Sequence, residues 1–170
     1  MALGVEDILR ILSLAPLPRE GGFFRETHRS ELLIPKEALP SVYSSPRHAG
    51  TAIYYLLTPT TLSLIHRLPG DEIFHFYIGD PVEMLQLHPD GRGYPIIIGS
   101  DLEGGMQPQV VVPAGVWQGS HLVPGGRFAL MGTTMAPGFD FRDFELGKRA
   151  VLLRKFPEYA DLIHMLTAEE

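Results

Sequence analysis

The sequence predicts an all-β fold, an antiparallel sandwich or barrel, with one helix before it and short helices after it. Three observations carry this. Short β-branched and aromatic runs recur at roughly even intervals from Thr51 to Met135, the pattern of strands joined by tight connections. The chain holds Gly 18 and Pro 15, the residues that such connections require. Helical periodicity is confined to the two ends.

Taken in order, Val5, Ile8, Leu9, Ile11 and Leu12 fall largely on one helical face, and Pro16 and Pro18 end that helix. It packs on the main body or docks a partner; both leave the same pattern. In Glu20–Ser30, EGGFFRETHRS, the paired glycines allow a tight bend or a close backbone approach. The alternation that follows predicts a strand with Arg25 and Arg29 on one face, where a guanidinium fork suits carboxylate or phosphate. An ion pair such as Arg25–Glu31 is the plainer reading. Residues 32–48 read as a loop with one helical turn at Lys36–Leu39. Strands are expected at Thr51–Thr58, Leu62–Arg67, Ile73–Ile78, Val82–Leu87, Tyr94–Ile98, Gln109–Val112, Trp117–Val123 and Phe128–Met135. Lys148–Phe156 and Pro157–Leu166 read as helices, with Pro157 suited to a first turn. Residues 1–170 form one expected domain, its β core at about 20–140 and its C-terminal helices at about 144–166.

With Lys+Arg 14 against Asp+Glu 20, a net charge of −6 and no basic cluster, neither nucleic acid nor a membrane surface is an expected partner. The chain has no cysteine, so disulfides and thiolate chemistry are excluded. Glu6, Asp7 and Arg10 interrupt the apolar N-terminal stretch, unlike a signal peptide. The expectation is a cytoplasmic protein.

The stretch Ser63–Gly79, SLIHRLPGDEIFHFYIG, concentrates His66, Arg67, Asp71, Glu72, His75 and Tyr77 in an otherwise apolar hairpin. Either its charges face water, or they are paired around a ligand. Strict alternation puts Glu72, Phe74 and Phe76 on one face and His75 and Tyr77 on the other.

His66, Glu72 and Gly79 match the first motif of the cupin superfamily, Gly-x5-His-x-His-x3-Glu-x6-Gly; Thr60 and Leu68 replace its first Gly and second His. Pro113-Ala114-Gly115 echoes the second motif, in which Gln107, Gln118 and Leu122 replace Gly, His and Asn. EGGFFRETHRS, TAIYYLLT, HRLPGDEIFHFYIGDP, VVPAGVWQGS and APGFDFRDFELG resemble the cupin-5 family, a domain of largely unassigned function, from Glu20 to Gly147. The resemblance implies a jelly roll, or double-stranded β-helix, where periodicity alone leaves a lipocalin-like barrel open.

It also implies a pocket entered by His66, Glu72 and Gln118, with Ser63, Tyr55, Trp117 and Thr134 on neighbouring strands. Cupins that hold iron, manganese or nickel resemble one another in using three His and one Glu. His66, Glu72 and Gln118 would hold a divalent metal only weakly, so no cofactor is expected to be tightly bound. Metal-free cupin epimerases suggest another use: His66 beside Glu72 as base, with Tyr55 or Tyr77 as acid; His75 is a candidate in place of Glu72 if a bulge turns its face of the strand to the pocket. A nucleotide or nucleotide sugar, or another small polar or anionic metabolite, would then meet Ser63, Arg25, Arg67, Phe74, Trp117, Gln118 and Thr134. A metal-dependent dioxygenase or isomerase with a reduced ligand set, and a binding protein without catalysis, are the alternatives. A homodimer is expected, because Thr51–Leu57 and the N-terminal segment are more apolar than a free surface needs.

Overall fold

The computed structural model describes residues 3–168; Met1, Ala2, Glu169 and Glu170 of the expected domain lie outside the described residues. Helix α1 (Val5–Leu12) precedes β1 (Ala15–Pro16), β2 (Phe23–Arg29), β3 (Leu33–Ile34), β4 (Arg47–His48), β5 (Thr51–Leu57) and β6 (Leu62–Arg67). Next come β7 (Glu72–Gly79), β8 (Val82–Leu87), β9 (Gly93–Ile98), β10 (Gln109–Val112), β11 (Trp117–Leu122), β12 (Ala129–Met135) and β13 (Glu145–Leu146). Helices α2 (Arg149–Lys155) and α3 (Ala160–Met165) end the chain.

The strands form two facing antiparallel sheets, ordered β1-β2-β5-β12-β7-β10 and β13-β6-β11-β8-β9, with β3 and β4 paired separately. This is a jelly roll. Alternation sends Tyr55, Leu57, Phe74, Val82, Met84 and Met131 into the space between the sheets. Burying each such side chain contributes about 1.5–3 kcal/mol. The outer face of each sheet is covered in part. Ile8 of α1 packs on Leu56 and Leu130 of the larger sheet and on Phe128, just before β12. Leu152, Phe156, Ile163 and Leu166 pack on Ile65, Leu85 and Leu87 of the smaller one. Outward-facing Leu56 of β5 lies beneath α1. Among the described residues no helix is long and apolar enough to cross a membrane.

Two local irregularities shape the cavity described below. The pairing of β2 with β5 shifts between Glu26 and His28, a β-bulge that breaks alternation. Arg25 and Arg29, expected on one face, therefore diverge. Arg25 lies outside over the Tyr54 ring, 5.4 Å to its centroid, and Arg29 turns inward. The second irregularity is the segment 136–147, which crosses one end of the sandwich. A buried ion pair fastens it: Arg47 Nε donates to Asp143 Oδ2 at 2.7 Å and Nη2 donates to Oδ1.

Removing one member of a buried pair strands the other's charge. Arg47→Met is expected to destabilise the protein by about 3–5 kcal/mol in urea unfolding. The double change Arg47→Met/Asp143→Leu should recover most of that loss.

Candidate functional site

A cavity of about 260 Å³ opens at the end of the sandwich crossed by residues 136–147. Its walls are apolar: Leu17, Phe24, Ile53, Leu68 and Met135. Glu20, Glu72 and Thr133 line its inner part, which we call the floor; Glu26, Arg29, Phe139, Asp140 and Phe141 stand at its mouth.

Glu20 comes from the turn before β2. Leu17 accepts a hydrogen bond from Gly21 N at 3.1 Å, and Gly22 O accepts one from Leu17 N at 3.0 Å. Gly22 has φ +71, and a Cβ there would lie 2.7 Å from the Tyr55 hydroxyl. Only glycine meets both demands, so the double glycine holds Glu20 against the floor. Ser63 Oγ donates to Glu20 Oε1 at 2.8 Å, and His66 Nε2 lies 3.8 Å from Glu20 Oε2.

Glu72 opens β7 and is joined to the opposite sheet through Gln118. Gln118 Nε2 donates to Glu72 Oε2 at 3.0 Å and contacts His66 Nε2 at 2.8 Å. His66 Nδ1 lies 2.7 Å from the Leu64 carbonyl, which can only accept, so Nδ1 carries the proton. Nε2 must then accept from Gln118. One carboxamide thereby fixes a tautomer and a carboxylate together. The Phe144 ring stacks on His66, with centroids 4.8 Å apart and planes at 24°.

Burial pushes the Glu20 carboxyl up from 4.5 to about 7, against the pull of the hydrogen bond from Ser63. Burial likewise raises Glu72 from 4.5 to about 7; His66 opposes the rise, Glu20 adds to it, and the hydrogen bonds of Thr133 and Gln118 oppose it. Burial lowers His66 below 6.5 despite nearby Glu72. The floor thus holds two carboxyls poised to exchange protons near neutral pH.

A family model described as "Cupin superfamily (DUF985)", Cupin_5, matches residues 6–147. The chain belongs to the Cupin_5 family. It is 34% identical over 134 residues to the Saccharomyces cerevisiae protein YML079W, a match spanning 74% of this chain and 66% of the yeast protein. Protein SO0799 from Shewanella oneidensis is 33% identical, with a TM-score of 0.86 over 99% of this chain and all of that one. A hypothetical protein from Leishmania major is 31% identical, with a TM-score of 0.85 over 98% of this chain and 100% of its own. Bacillus subtilis oxalate decarboxylase shares the fold at 15% identity and a TM-score of 0.54, over 94% of this chain and 39% of that one.

Within this cupin the motif's remaining donors do not fit a tightly held transition metal. Leu68 packs with Met135 and Phe144 and offers no lone pair. His66 Nε2 already accepts the Gln118 amide. Gln118 Oε1 is buried without a hydrogen-bond partner among the described residues, and one amide oxygen is a poor ligand set. No group of three His, Cys, Asp or Glu side chains is gathered for a metal among those residues.

The structure brings together His66, Glu72, Gln118, Ser63 and Tyr55, all buried. Only Glu72 of these lines the cavity; His66 and Gln118 back it, and Tyr55 donates its hydroxyl to the Gly21 carbonyl at 3.0 Å. Phe74 is in the apolar core. The other expected residues lie elsewhere, because neighbours in a strand face opposite ways. His75 bonds Thr134 at 3.0 Å on the outer face of the larger sheet, and Tyr77 stands exposed there, edge-on to Tyr54. Trp117, next to inward Gln118, packs outward beneath the C-terminal helices. Arg67 donates to Glu145 at 2.8 Å and covers the Trp117 ring at 4.4 Å. Arg29, expected beside Arg25 as an anion-binding guanidinium, instead stands at the mouth; Glu20, Thr133 and Glu26 are additional lining residues, and of these Glu20 carries the one usable signal, an acidic residue directly before two glycines.

Two pH effects oppose each other. Unfolded carboxyls lose protons near 4.5, whereas the folded Glu20 and Glu72 keep theirs to about 7. In that interval the folded state binds more protons, so stability falls as pH rises. His66, lowered on folding, acts the other way below 6.5. Two carboxyls outnumber one imidazole, so the net effect between about pH 5 and 6.5 is a loss of stability as pH rises. The melting temperature is therefore expected to fall from pH 5 to 7.5. Glu72→Gln, which still accepts from Gln118, should flatten that fall and melt above the wild type at pH 8. Elemental analysis after dialysis is expected to find no stoichiometric iron, manganese, nickel or zinc.

Proposed function

We propose that this cupin binds a small polar molecule in the cavity and moves protons on it by carboxyl acid–base chemistry, in the manner of an isomerase or epimerase. What carries the reading is the pairing of Glu20 and Glu72 on one cavity floor, both buried and both raised to about 7. A proton-transfer pair works best with pKa values near the working pH. On a carbonyl-bearing ligand, the ionised member takes the proton from the carbon beside the carbonyl. The protonated member gives its own to the carbonyl oxygen. The neutral enol then returns both protons, the one to carbon at the same or the opposite face. His66 holds Gln118, and Gln118 holds Glu72; neither has to touch the ligand.

The nucleotide portion of the expected ligand finds no receiver here. Arg25 lies over Tyr54 on the outer face and Arg67 is paired with Glu145. A volume of about 260 Å³ lies below the roughly 300–1,000 Å³ of drug-sized sites, so at most the sugar end of such a molecule would be enclosed. A metal-dependent reaction has less support, for the reasons of donor chemistry given above.

The test follows deuterium uptake from D₂O into small hydroxy-ketones and hydroxy-aldehydes by NMR. Uptake is expected at the carbon next to the carbonyl, slowed about 10²-fold or more in Glu20→Gln and in Glu72→Gln. His66→Asn should lose less. If compounds bind but none exchanges, the catalytic reading falls and a binding protein remains.

A further inference from the structure

The mouth of the cavity is more specific than its apolar walls. Five charged side chains line the cavity among the described residues: Glu20, Glu26, Glu72 and Asp140 against a single cation, Arg29. That cation is fully engaged. Arg29 Nε and Nη2 donate to the two oxygens of Glu26 at 2.9 and 2.6 Å, and Nη1 donates to the Phe139 carbonyl at 3.2 Å. Asp140 is bound by Arg142 at 2.9 and 2.6 Å, and that contact holds its carboxyl well below the usual carboxylate range. The mouth is thus charge-paired within itself, and the floor beneath it carries two carboxyls.

An anionic ligand entering here would meet carboxyls and no available cation, which makes its desolvation costly. An ammonium offers donors only. The floor, with two carboxyls near neutral pKa and the Thr133 hydroxyl, offers donors and acceptors together, the pattern that hydroxyl groups match. Phe24 and Ile53 supply an apolar wall for the carbon face of a small ring.

We propose that the cavity takes an uncharged, hydroxyl-bearing molecule of monosaccharide size, and that the Glu26–Arg29 pair at its mouth is the filter that turns anions away. This rests on the reading of the cavity as the ligand site and adds the class of ligand. Glu26 is the specificity-determining residue: while it occupies the Arg29 fork, no carboxylate or phosphate can.

The experiment titrates glucose, xylose, glucosamine, glucuronate and glucose 6-phosphate into the protein and follows backbone amide shifts, with Thr133 and Glu72 as reporters on the floor. Glucose or xylose is expected to move both reporters saturably, and the two anions to leave them in place. In Glu26→Gln, a change on an exposed side chain that should not disturb folding, the released fork should tighten glucuronate about tenfold or more. Three results overturn the proposal: anions that bind the wild type as well as neutral sugars do, glucosamine as the sole binder, or Glu26→Gln without effect on glucuronate. Each leaves the deuterium-uptake result for Glu20 and Glu72 intact. Reporters unmoved by every probe also overturn the ligand class, and only if deuterium uptake is absent as well does the reading of the site fall with it.

Discussion

The amide group of Gln118 is the constraint on which the site depends. It leaves β11 in the smaller sheet and donates to Glu72 on β7 in the larger one, while its other hydrogen goes to His66 on β6. Both bonds are buried, where an unmet donor or acceptor costs about 1–3 kcal/mol. A reversed amide would set its oxygen against a ring nitrogen without a proton. The geometry therefore permits one orientation, and that orientation fixes the imidazole tautomer, the carboxylate and the local spacing of the two sheets. Where the second cupin motif has a histidine, this chain carries a strut.

The strands were legible because each puts apolar side chains on alternate positions, and because turns such as Leu68-Pro69-Gly70-Asp71 break the alternation where they must. The jelly roll needed the family resemblance. The inward set His66, Glu72 and Gln118 was legible from the motif spacing. Alternation also carried a correction: if Gln118 faces inward, Trp117 cannot, and if Glu72 does, His75 and Tyr77 cannot. What the pattern could not show was the bulge in β2. One extra residue separates Arg25 from Arg29, and no residue between them announces it. Glu20 was hidden for a different reason, since it sits in a turn whose position is set by contacts with Leu64 and Tyr55, far along the chain.

Floor and mouth are built on different supports. The floor residue Glu72 stands on a strand and is braced from the facing sheet. The mouth residues Phe139, Asp140 and Phe141 belong to a connection held by side chains: Arg29 to the Phe139 carbonyl, Arg19 to the Phe144 carbonyl at 3.3 Å, and Arg47 to Asp143. Phe144 in that connection lies flat on His66, so its position and that of the imidazole are coupled by packing. Loops tolerate change better than paired strands do. Residues 139–141 at the mouth can therefore change without altering the two carboxyls of the floor.

Leu68 stands where the cupin motif has its second histidine, and it has a second role. It lines the cavity on one side and, on the other, a surface groove of about 540 Å³ beside Arg67, Pro69 and Gly115. One isobutyl group thus forms wall for both the cavity and the outer groove. The residue that gives the motif no ligand is apolar surface for two concavities at once.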